Sequence, residues 1–383
     1  MISARGATDS WLKGNTHTHT LWSDGNAAPE WVADWYLTHG YDFLVLSDHN
    51  ILSRGEKWVP LGEGGMPVDR VEELVRQFGI ERVDIRDGDN GREMRLQTLE
   101  ELRTHFDLVF IEGEEITDRF DDVHIHVNAV NVEEAIPPQG GRSARETMNN
   151  NITAVLEQAL RLDRPMLAHV NHPNWGWALS WEDVAHIADD RFFEVYNGHS
   201  AVRNEGDAGH PSSDEMWDLA NTLRTSKLDL PLLFGLATDD SHEYFNWGTG
   251  ETNPGRGWVM VRGSERDADA IVTALRQGDF YASSGVSLRD FRNDAGRYEL
   301  VIATEPGLDY VTRFIGTRIA DGTPNPTAEV LFETNANTAS YTYEGDELFV
   351  RATVTSSRLH PNPYRKDDYQ MAWLQPVRPP GPG

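Results

Sequence analysis

Cysteine is absent from the 383 residues of the chain. Disulfides, thiolate catalysis and cysteine-based zinc sites are therefore excluded, which leaves histidine, aspartate and glutamate as the strong metal ligands. Basic side chains are scarce, because 34 lysines and arginines stand against 62 aspartates and glutamates and the net charge is -28. A chain of this charge repels polyanions at long range, so binding to nucleic acid or to an anionic membrane is disfavoured.

Long apolar runs are also missing. No stretch is long enough to span a bilayer, and residues 1–6 contain no apolar core of signal-peptide length. We therefore expect a soluble protein, either cytoplasmic or exported if a signal peptide has been removed. Hydrophobic residues make up 39% of the chain, with 12 Trp and 14 Phe, which is enough for a large core.

Strand and helix patterns alternate through residues 1–285. A helix is predicted from Pro29 to Gly40, and the continuous apolar run Phe43 to Leu46 is typical of a strand buried on both faces. About seven strands with intervening helices favour a closed or nearly closed barrel over an open sheet. Glycines, a proline and a polar, turn-rich stretch mark residues from about 54 to 95 as an insertion, with a short helix from Val71 to Phe78.

The pattern changes after Gly285. Alternating apolar residues, turn residues and no helical periodicity predict a small all-β sandwich over residues 286–375. Residues 376–383 are rich in proline and glycine and are predicted to form a disordered tail. The chain thus divides into a barrel domain, a β-sandwich and a tail.

The run from Asn15 to Gly25 contains two histidines separated by one residue. On an extended segment, His17 and His19 project from the same face, so both imidazoles can reach one metal ion. Further imidazoles and carboxylates fall at or just past the predicted carboxyl ends of strands, where a barrel collects its polar residues. Nine such groups on one rim repel one another or are poorly solvated unless two or three cations lie between them. They are His17, His19, Asp24, His49, Glu115, His126, His172, Asp240 and His242.

Five ordered motifs in this arrangement resemble the PHP (polymerase and histidinol phosphatase) metallohydrolases. They are the Thr16–Thr20 run with Ser23–Gly25, and the segments 47–50, 113–117, 171–173 and 239–242. Two further segments, 194–198 and 278–285, resemble the branch that includes carbaryl hydrolase-like enzymes. The resemblance covers residues 11 to 290 and implies a distorted (β/α)7 TIM-like barrel with a multinuclear metal site.

Carried over by motif, the resemblance implies three groups of ligands. His17, His19 and Asp240 bind the first ion, and Glu115 bridges to a second ion. The remaining ligands of the second ion are His126 and His172. A third ion is bound by Asp24, His49 and His242. Some members of the family keep only two ions. Glu114 competes with Glu115, and His124 competes with His126. Asp239 and His169 are candidates for orienting the ligands.

The chemistry follows from the ions. A water that bridges two cations is deprotonated near neutral pH, and phosphate oxygens bridge such cations, so hydrolysis of a small phosphomonoester or phosphodiester is the leading prediction. Imidazole and carboxylate ligands suit Mn, Zn or Fe. His199, Arg203 and His242 are the catalytic candidates. His210, on the same loop as His199 and Arg203, is a further candidate for contact with the substrate.

Two other functions compete with this prediction. The same metal centre attacks carbonyl carbon, so a carboxylic ester or carbamate hydrolase is the main alternative. Five tryptophans near predicted site loops suit an aromatic substrate, although large aromatic residues also fill cores: Trp22, Trp58, Trp175, Trp177 and Trp247. The alternative of another class is a catalytically silent binding protein, whose β-domain recognises a carbohydrate or a protein.

Overall fold

The computed structural model describes residues 10–62, 65–89, 91–294 and 296–379. The α-helices are α1 (Pro29–Thr38), α2 (Val68–Phe78), α3 (Leu99–His105), α4 (Ala144–Leu162), α5 (Trp181–Ala185), α6 (Ser213–Leu223) and α7 (Ala268–Gln277). Within the described ranges, no helix combines the length and the apolar character needed to cross a membrane. The first strands are β1 (Trp11–Asn15), β2 (Phe43–Leu46), β3 (Trp58–Pro60), β4 (Ile85–Gly88), β5 (Gly91–Arg95), β6 (Val109–Phe120), β7 (Val123–Val130), β8 (Leu167–Val170), β9 (Phe192–Asn197) and β10 (Phe234–Thr238). The later strands are β11 (Trp258–Arg262), β12 (Phe280–Ser283), β13 (Leu288–Asn293), β14 (Arg297–Ile302), β15 (Tyr310–Ala320), β16 (Thr323–Pro324), β17 (Glu329–Thr334), β18 (Thr338–Thr342), β19 (Glu347–Leu359) and β20 (Tyr369–Val377).

A 14-stranded sheet organises the molecule. Its strand order is β10-β9-β8-β7-β6-β2-β1-β11-β12-β20-β19-β15-β16, and β17 also pairs with β15. Strands β1, β2 and β6 run parallel, as do β8, β9 and β10, whereas β7 runs antiparallel between β6 and β8. The carboxyl ends of the parallel strands and the amino end of β7 therefore lie at one edge of the sheet.

Local sequence explains the elements nearest this edge. Helix α1 begins at Pro29, whose fixed φ suits a first turn, and ends just before Gly40, which adopts a φ of 74°. Every residue of β2 is buried, as its continuous apolar run predicts. The bounds predicted for β2, Phe43 to Leu46, are confirmed.

The mixed α/β class is confirmed, whereas closure of the sheet into a (β/α)7 barrel stays a prediction. Among the described strands, no ladder joins the terminal strand β10 to β1 or β11. The side chain of Gln375 on β20 instead donates to the carbonyl of Gly235 on β10 and accepts from its amide, both at 2.9 Å. A side chain thus satisfies part of this strand edge, which is buried and pairs with no further strand among the described ones.

The predicted insertion contains more regular structure than its sequence indicates. Strands β3, β5 and β4 form a separate antiparallel sheet, and helix α2 packs in the same apolar cluster as Trp22. Most of the described residues in the polar stretch 84–91, which the sequence predicts to be turns, lie in strands β4 and β5. The sequence does not indicate this, because the stretch carries few apolar residues that would mark a buried face. Residues 63 and 64, which the loop prediction includes, lie outside the described residues.

The region after Gly285 contains only strands within its described residues, as predicted. Strands β13, β14 and β18 form their own sheet, but β15, β19 and β20 extend the 14-stranded sheet. Strand β20 pairs directly with β12, with Leu374 opposite Tyr281, so the main sheet runs across the predicted boundary at residue 285. The boundary itself stays a prediction. Part of the predicted tail is ordered, since β20 ends at Val377, and residues 380–383 lie outside the described ones.

Candidate metal centre

The segment that follows β1 delivers two imidazoles to the edge of the sheet. Thr18 pairs with Ser241 in an isolated parallel bridge, which keeps the segment extended. The side chains on either side of Thr18 therefore point the same way. His17 and His19 are fully buried, and their Nε2 atoms lie 3.1 Å apart. This is the convergence that the spacing predicts.

Glu115 lies at the centre of the cluster. Its Oε1 atom is 2.9 Å from Nδ1 of His126 and 3.3 Å from Nε2 of His172. Its Oε2 atom is 2.8 Å from Nδ1 of His49 and 3.4 Å from Nε2 of His19. Imidazoles face both oxygens, so this carboxylate is placed to bridge two cations. Glu115 lies within β6, and His126 is the fourth of the eight residues of the antiparallel β7. Both positions correct the prediction that every ligand falls at or just past the carboxyl end of a strand.

Asp240 supplies a second central carboxylate. Its Oδ1 atom lies 3.2 Å from Nε2 of His17 and 3.3 Å from Nε2 of His19. Asp240 adopts a φ of 49° and His172 a φ of 25°, in the left-handed region that L-residues rarely occupy. Such strained backbone clusters at functional sites, where the surrounding structure fixes the conformation.

A third group lies on the more open side. Asp24, whose side chain is 57% exposed, approaches Nε2 of His49 at 3.5 Å and Nε2 of His242 at 3.4 Å. His19 stacks on His242, with ring centroids 4.1 Å apart, and so joins this group to the two central carboxylates.

All nine predicted ligands belong to four overlapping groups, within each of which the ligand atoms lie within 4.8 Å of one another. The groups are His17, His19 and Asp240; His17, Glu115 and His172; His49, Glu115 and His126; and His19, Asp24, His49 and His242. The ligand roles stay a prediction, but the structure brings every one of these residues together.

The electrostatics of the cluster fit bound cations. Burial by itself raises the pKa of a carboxyl group, yet the facing imidazoles outweigh it and hold the pKa values of Glu115 and Asp240 well below their ordinary value. Nε2 of the buried His126 has no hydrogen-bond partner among the described residues. Ionised carboxylates beside imidazole nitrogens are the donor set that Mn, Zn or Fe ions take. The residues present therefore fit divalent metal ions.

The two pairs of competing candidates are placed differently. Glu114 points away from the cluster and accepts a hydrogen bond from the amide of Ile136 at 2.5 Å, and burial raises its pKa to about 7. His124 is exposed, with its ring 6.0 Å from that of His126. Among the described residues, Glu115 and His126 belong to the candidate metal groups, and Glu114 and His124 do not.

The two residues predicted to orient ligands are both buried. Asp239 accepts hydrogen bonds from the amides of Arg256 and Gly257, so it fixes the loop before β11. The ring of His169 lies 6.3 Å from that of His17, and burial lowers the pKa of His169 to about 4.

A cavity of about 150 Å³ opens onto the cluster. Apart from metal-ligand candidates, its lining consists of Trp175 and His199. No lysine or arginine is found in this lining among residues that the structure describes. Trp175 lies on a 3-10 turn over Trp175–Trp177, with its ring 5.4 Å from that of His172. The cavity wall beyond the ligands is therefore aromatic and carries no fixed positive charge.

Arg203 and His210 lie outside that lining. Arg203 is exposed and its guanidinium lies 5.2 Å from the ring of Trp177, on which His210 stacks at 4.0 Å. His210 lines a separate open cavity of about 530 Å³. The predicted substrate contacts of these two residues stay predictions. Of the other tryptophans predicted near the site, Trp22 is 2% exposed and fills the core, and Trp247 is 50% exposed.

One residue of the site has no role in the sequence prediction. Glu194 is buried in the middle of β9 and hydrogen-bonds to His17. A signal for it exists, because an acidic residue inside the otherwise apolar run Phe192 to Val195 needs a polar partner when it is buried.

Comparisons with known proteins add the following. No family model matches the sequence, and no curated protein matches it either. The structure is similar to that of a two-domain protein from Bacteroides vulgatus that contains a predicted PHP-like metal-dependent phosphoesterase, with 15% identity, a TM-score of 0.42 and coverage of 97% of this chain and 100% of that one. It is also similar to a protein from Bifidobacterium adolescentis assigned as a metal-dependent phosphoesterase, with 14% identity, a TM-score of 0.31 and coverage of 69% of this chain and 94% of that one. The first of these proteins is described as PHP-like, the family that the motifs of this chain resemble. The carbaryl hydrolase-like branch stays a prediction.

Proposed function

We propose that this protein is a PHP-type metallohydrolase that cleaves a small phosphomonoester or phosphodiester with two or three divalent ions. The observation that carries the proposal is the placement of Glu115, whose two oxygens each face imidazoles from different strands and loops. Phosphate oxygens are hard, anionic ligands, and a centre of several cations is the arrangement that binds and cleaves phosphate esters most readily.

The ligand groups define which residues would hold the ions. His17, His19 and Asp240, which form one of these groups, would hold the first ion, and Glu115 would bridge to a second. As the family resemblance implies, His126 and His172 would complete the second site, although they fall in two different groups around Glu115, and Asp24, His49 and His242 would hold a third ion. Bound divalent ions supply an activated water near neutral pH and polarise the scissile ester. Asn171 and Asn197 donate to Glu115 and Asp240 at 2.7 Å and 3.1 Å, which fixes the two central carboxylates.

His199 contributes a hydrogen-bond donor to the cavity. Its Nδ1 atom accepts from the amide of Ala201 at 3.1 Å, so in the neutral ring the proton lies on Nε2. A proton held at that atom is available to an ester or leaving-group oxygen of a substrate in the cavity. Trp175 contributes the remaining, aromatic part of the cavity wall.

The barrel fold belongs to the same proposal. The two parallel strand sets, β1, β2 and β6 and then β8, β9 and β10, support a distorted (β/α)7 barrel of the PHP type. A crystal structure with β10 hydrogen-bonded to β11 would support closure. A gap at that position, filled by Gln375, would mean that the sheet is open.

The test uses one chromophore on three electrophiles: p-nitrophenyl phosphate, bis(p-nitrophenyl) phosphate and p-nitrophenyl acetate, after loading with Mn, Zn or Fe. We expect release of p-nitrophenol from a phosphoester and its loss in His172→Ala. Trp247→Ala, at an exposed position outside the cavity lining, is the matched control and should keep full activity. Metal-loaded protein that cleaves neither of these phosphoesters nor any in a broader panel of phosphomonoesters and phosphodiesters would overturn the proposal.

A carboxylic ester or carbamate hydrolase is the second candidate. It is favoured by the cavity wall, where aromatic Trp175 takes the place of the lysine or arginine that would pair with a phosphate. Turnover of the acetate alone would move the assignment to this class. A silent binding protein would be indicated if no ester were cleaved and His17→Ala changed neither metal content nor activity.

A further inference from the structure

Glu194 combines complete burial with a full set of hydrogen bonds. It lies in the middle of β9, and its side chain is 0% exposed. Its neighbours in the strand, Phe193 and Val195, are apolar and buried. A carboxylate in such a place is costly unless each oxygen is satisfied, so its partners indicate its role.

The partners of Glu194 divide evenly between its two oxygens. Oε1 accepts from Nδ1 of His17 at 2.7 Å and from the hydroxyl of Thr238 at 2.8 Å. Oε2 accepts from the backbone amide of His172 at 2.7 Å and from the side-chain amide of Asn197 at 2.8 Å. All four partners donate a hydrogen bond to Glu194. Only an ionised carboxylate accepts hydrogen bonds at both of its oxygens.

The bond to His17 sets which ring nitrogen is free. With the proton held on Nδ1 by Glu194, Nε2 keeps its lone pair and faces Asp240 at 3.2 Å and Glu115 at 3.4 Å. The other tautomer would place a proton where a cation has to bind. Partners of this kind fix the orientation and tautomer of a ligating imidazole.

The bond to His172 holds a strained backbone. His172 has a φ of 25°, which the chain does not adopt without support. By accepting from this amide, Glu194 keeps the ring of His172 at 3.3 Å from Glu115. One carboxylate therefore positions two ligand candidates that belong to different segments of the chain.

We propose that Glu194 is a positioning residue that sets the metal affinity of the centre by fixing the tautomer of His17 and the backbone of His172. The inference rests on the proposed metal-dependent function and goes beyond it, because no ligand set includes Glu194. It also predicts an unusual sensitivity to an isosteric change. In Glu194→Gln, the amide has to turn its NH2 group toward one pair of donors, so either His17 or His172 loses its acceptor whichever way the amide lies.

The experiment measures metal binding and not turnover alone. Purified full-length chains are stripped with chelator and dialysed against buffered Mn²⁺ or Zn²⁺, and bound metal per chain is measured across a range of free concentrations. We expect Glu194→Gln to bind at least one ion about tenfold or more weakly than the native chain. The visible spectrum of the Co²⁺-loaded chain provides a second readout, since it reports the ligands around the ion.

The matched control is Glu114→Gln. This residue is another buried glutamate in the same region, but its side chain accepts from the amide of Ile136 and belongs to no candidate metal group. We expect its metal affinity to equal that of the native chain. A loss in both variants would show that any change at a buried glutamate disturbs the site, and would overturn the specific role of Glu194.

Further variants keep the inference testable. Glu194→Asp retains the charge but withdraws it by one methylene, so it should bind metal with an affinity between those of the native chain and Glu194→Gln. If Glu194→Gln does not fold, the metal affinity of Glu194→Asp tests the inference instead. In a His17→Ala background, Glu194→Gln should reduce the metal affinity by a smaller factor than it does in the native chain. The hydrogen bond between Glu194 and His17 is already absent there, so only the contact with His172 is left to lose. Native affinity in both Glu194 variants overturns the inference while the proposed function stands. A native chain that binds neither of these metals, nor Fe²⁺ under the same conditions, overturns both.

Discussion

Glu30 shows how one buried side chain couples this fold to pH. It lies in the first turn of α1, is 1% exposed, and its Oε2 atom has no hydrogen-bond partner within the described ranges. Burial raises the pKa of Glu30 to about 7. Between its ordinary pKa of 4.5 and about 7, the folded chain therefore binds a proton that the unfolded chain has released.

The sign of the effect follows from this difference. Since the folded state holds the extra proton, the contribution of Glu30 to stability is present below pH 4.5 and is lost as the pH rises toward 7. Glu30→Gln, which keeps the shape without the charge, should raise the free energy of unfolding by about 1–3 kcal/mol at pH 8 and by less at pH 5.

Urea denaturation at the two pH values measures this prediction. Glu157→Gln on the exposed side of α4 is the control and should give the same free energy of unfolding as the native chain at both. A gain for Glu30→Gln that is equal at pH 5 and pH 8 would show that the carboxyl group does not titrate in this range.

At the scale of elements, one ion pair joins the C-terminal strands to the first part of the chain. Arg351 on β19 is 1% exposed and meets both oxygens of Asp218 on α6, at 2.6 Å and 2.8 Å. Asp214 lies 2.9 Å from the same guanidinium. A bidentate pair of this kind fixes the helix against the strand. Each of the two buried charges is stable only because the other compensates for its lost hydration.

Removal of the arginine should therefore be costly. Arg351→Met leaves Asp218 buried without its partner, and we expect the free energy of unfolding to fall by about 3–5 kcal/mol. Arg313→Met, which breaks the exposed pair with Glu333, should cost less than about 1 kcal/mol. Chemical denaturation of the two variants compares them, and equal losses would contradict this account of the contact between α6 and β19.

The helices and strands also show how much of the secondary structure the local sequence predicts. Local sequence predicts α1 and β2 well, because each carries a clear apolar pattern. It misses β4 and β5, where a polar strand of a small sheet looks like a loop. It also places Glu115 after a strand, whereas β6 continues through it to Phe120, since pairing with β7 extends the strand beyond its apolar run.

At the scale of the whole molecule, the main sheet makes the two regions of the chain interdependent. Strand β20 pairs with β12, and its Gln375 occupies the edge of β10. An apolar cluster contains Tyr281 together with residues of β19 and β20. A chain cut at residue 285 would expose that cluster and a long strand edge to water.

We therefore expect residues 1–285 expressed alone to be insoluble or to unfold without a cooperative transition. Solubility and thermal unfolding followed by circular dichroism measure this. Cooperative unfolding of the shortened chain close to the melting temperature of the full chain would instead support the domain boundary predicted at residue 285.

The sequence by itself determined the chemistry available to this protein. Without cysteine, the metal ligands have to be imidazoles and carboxylates, and the alternation of side chains along an extended segment places His17 and His19 together. The tertiary structure alone decided which neighbours are used, because Glu115 faces the cluster while Glu114 turns to Ile136. It also decided that Glu194 hydrogen-bonds to two ligand candidates, His17 and His172. Hydrogen bonds between residues far apart in the chain depend on how the strands pack, which no local pattern encodes.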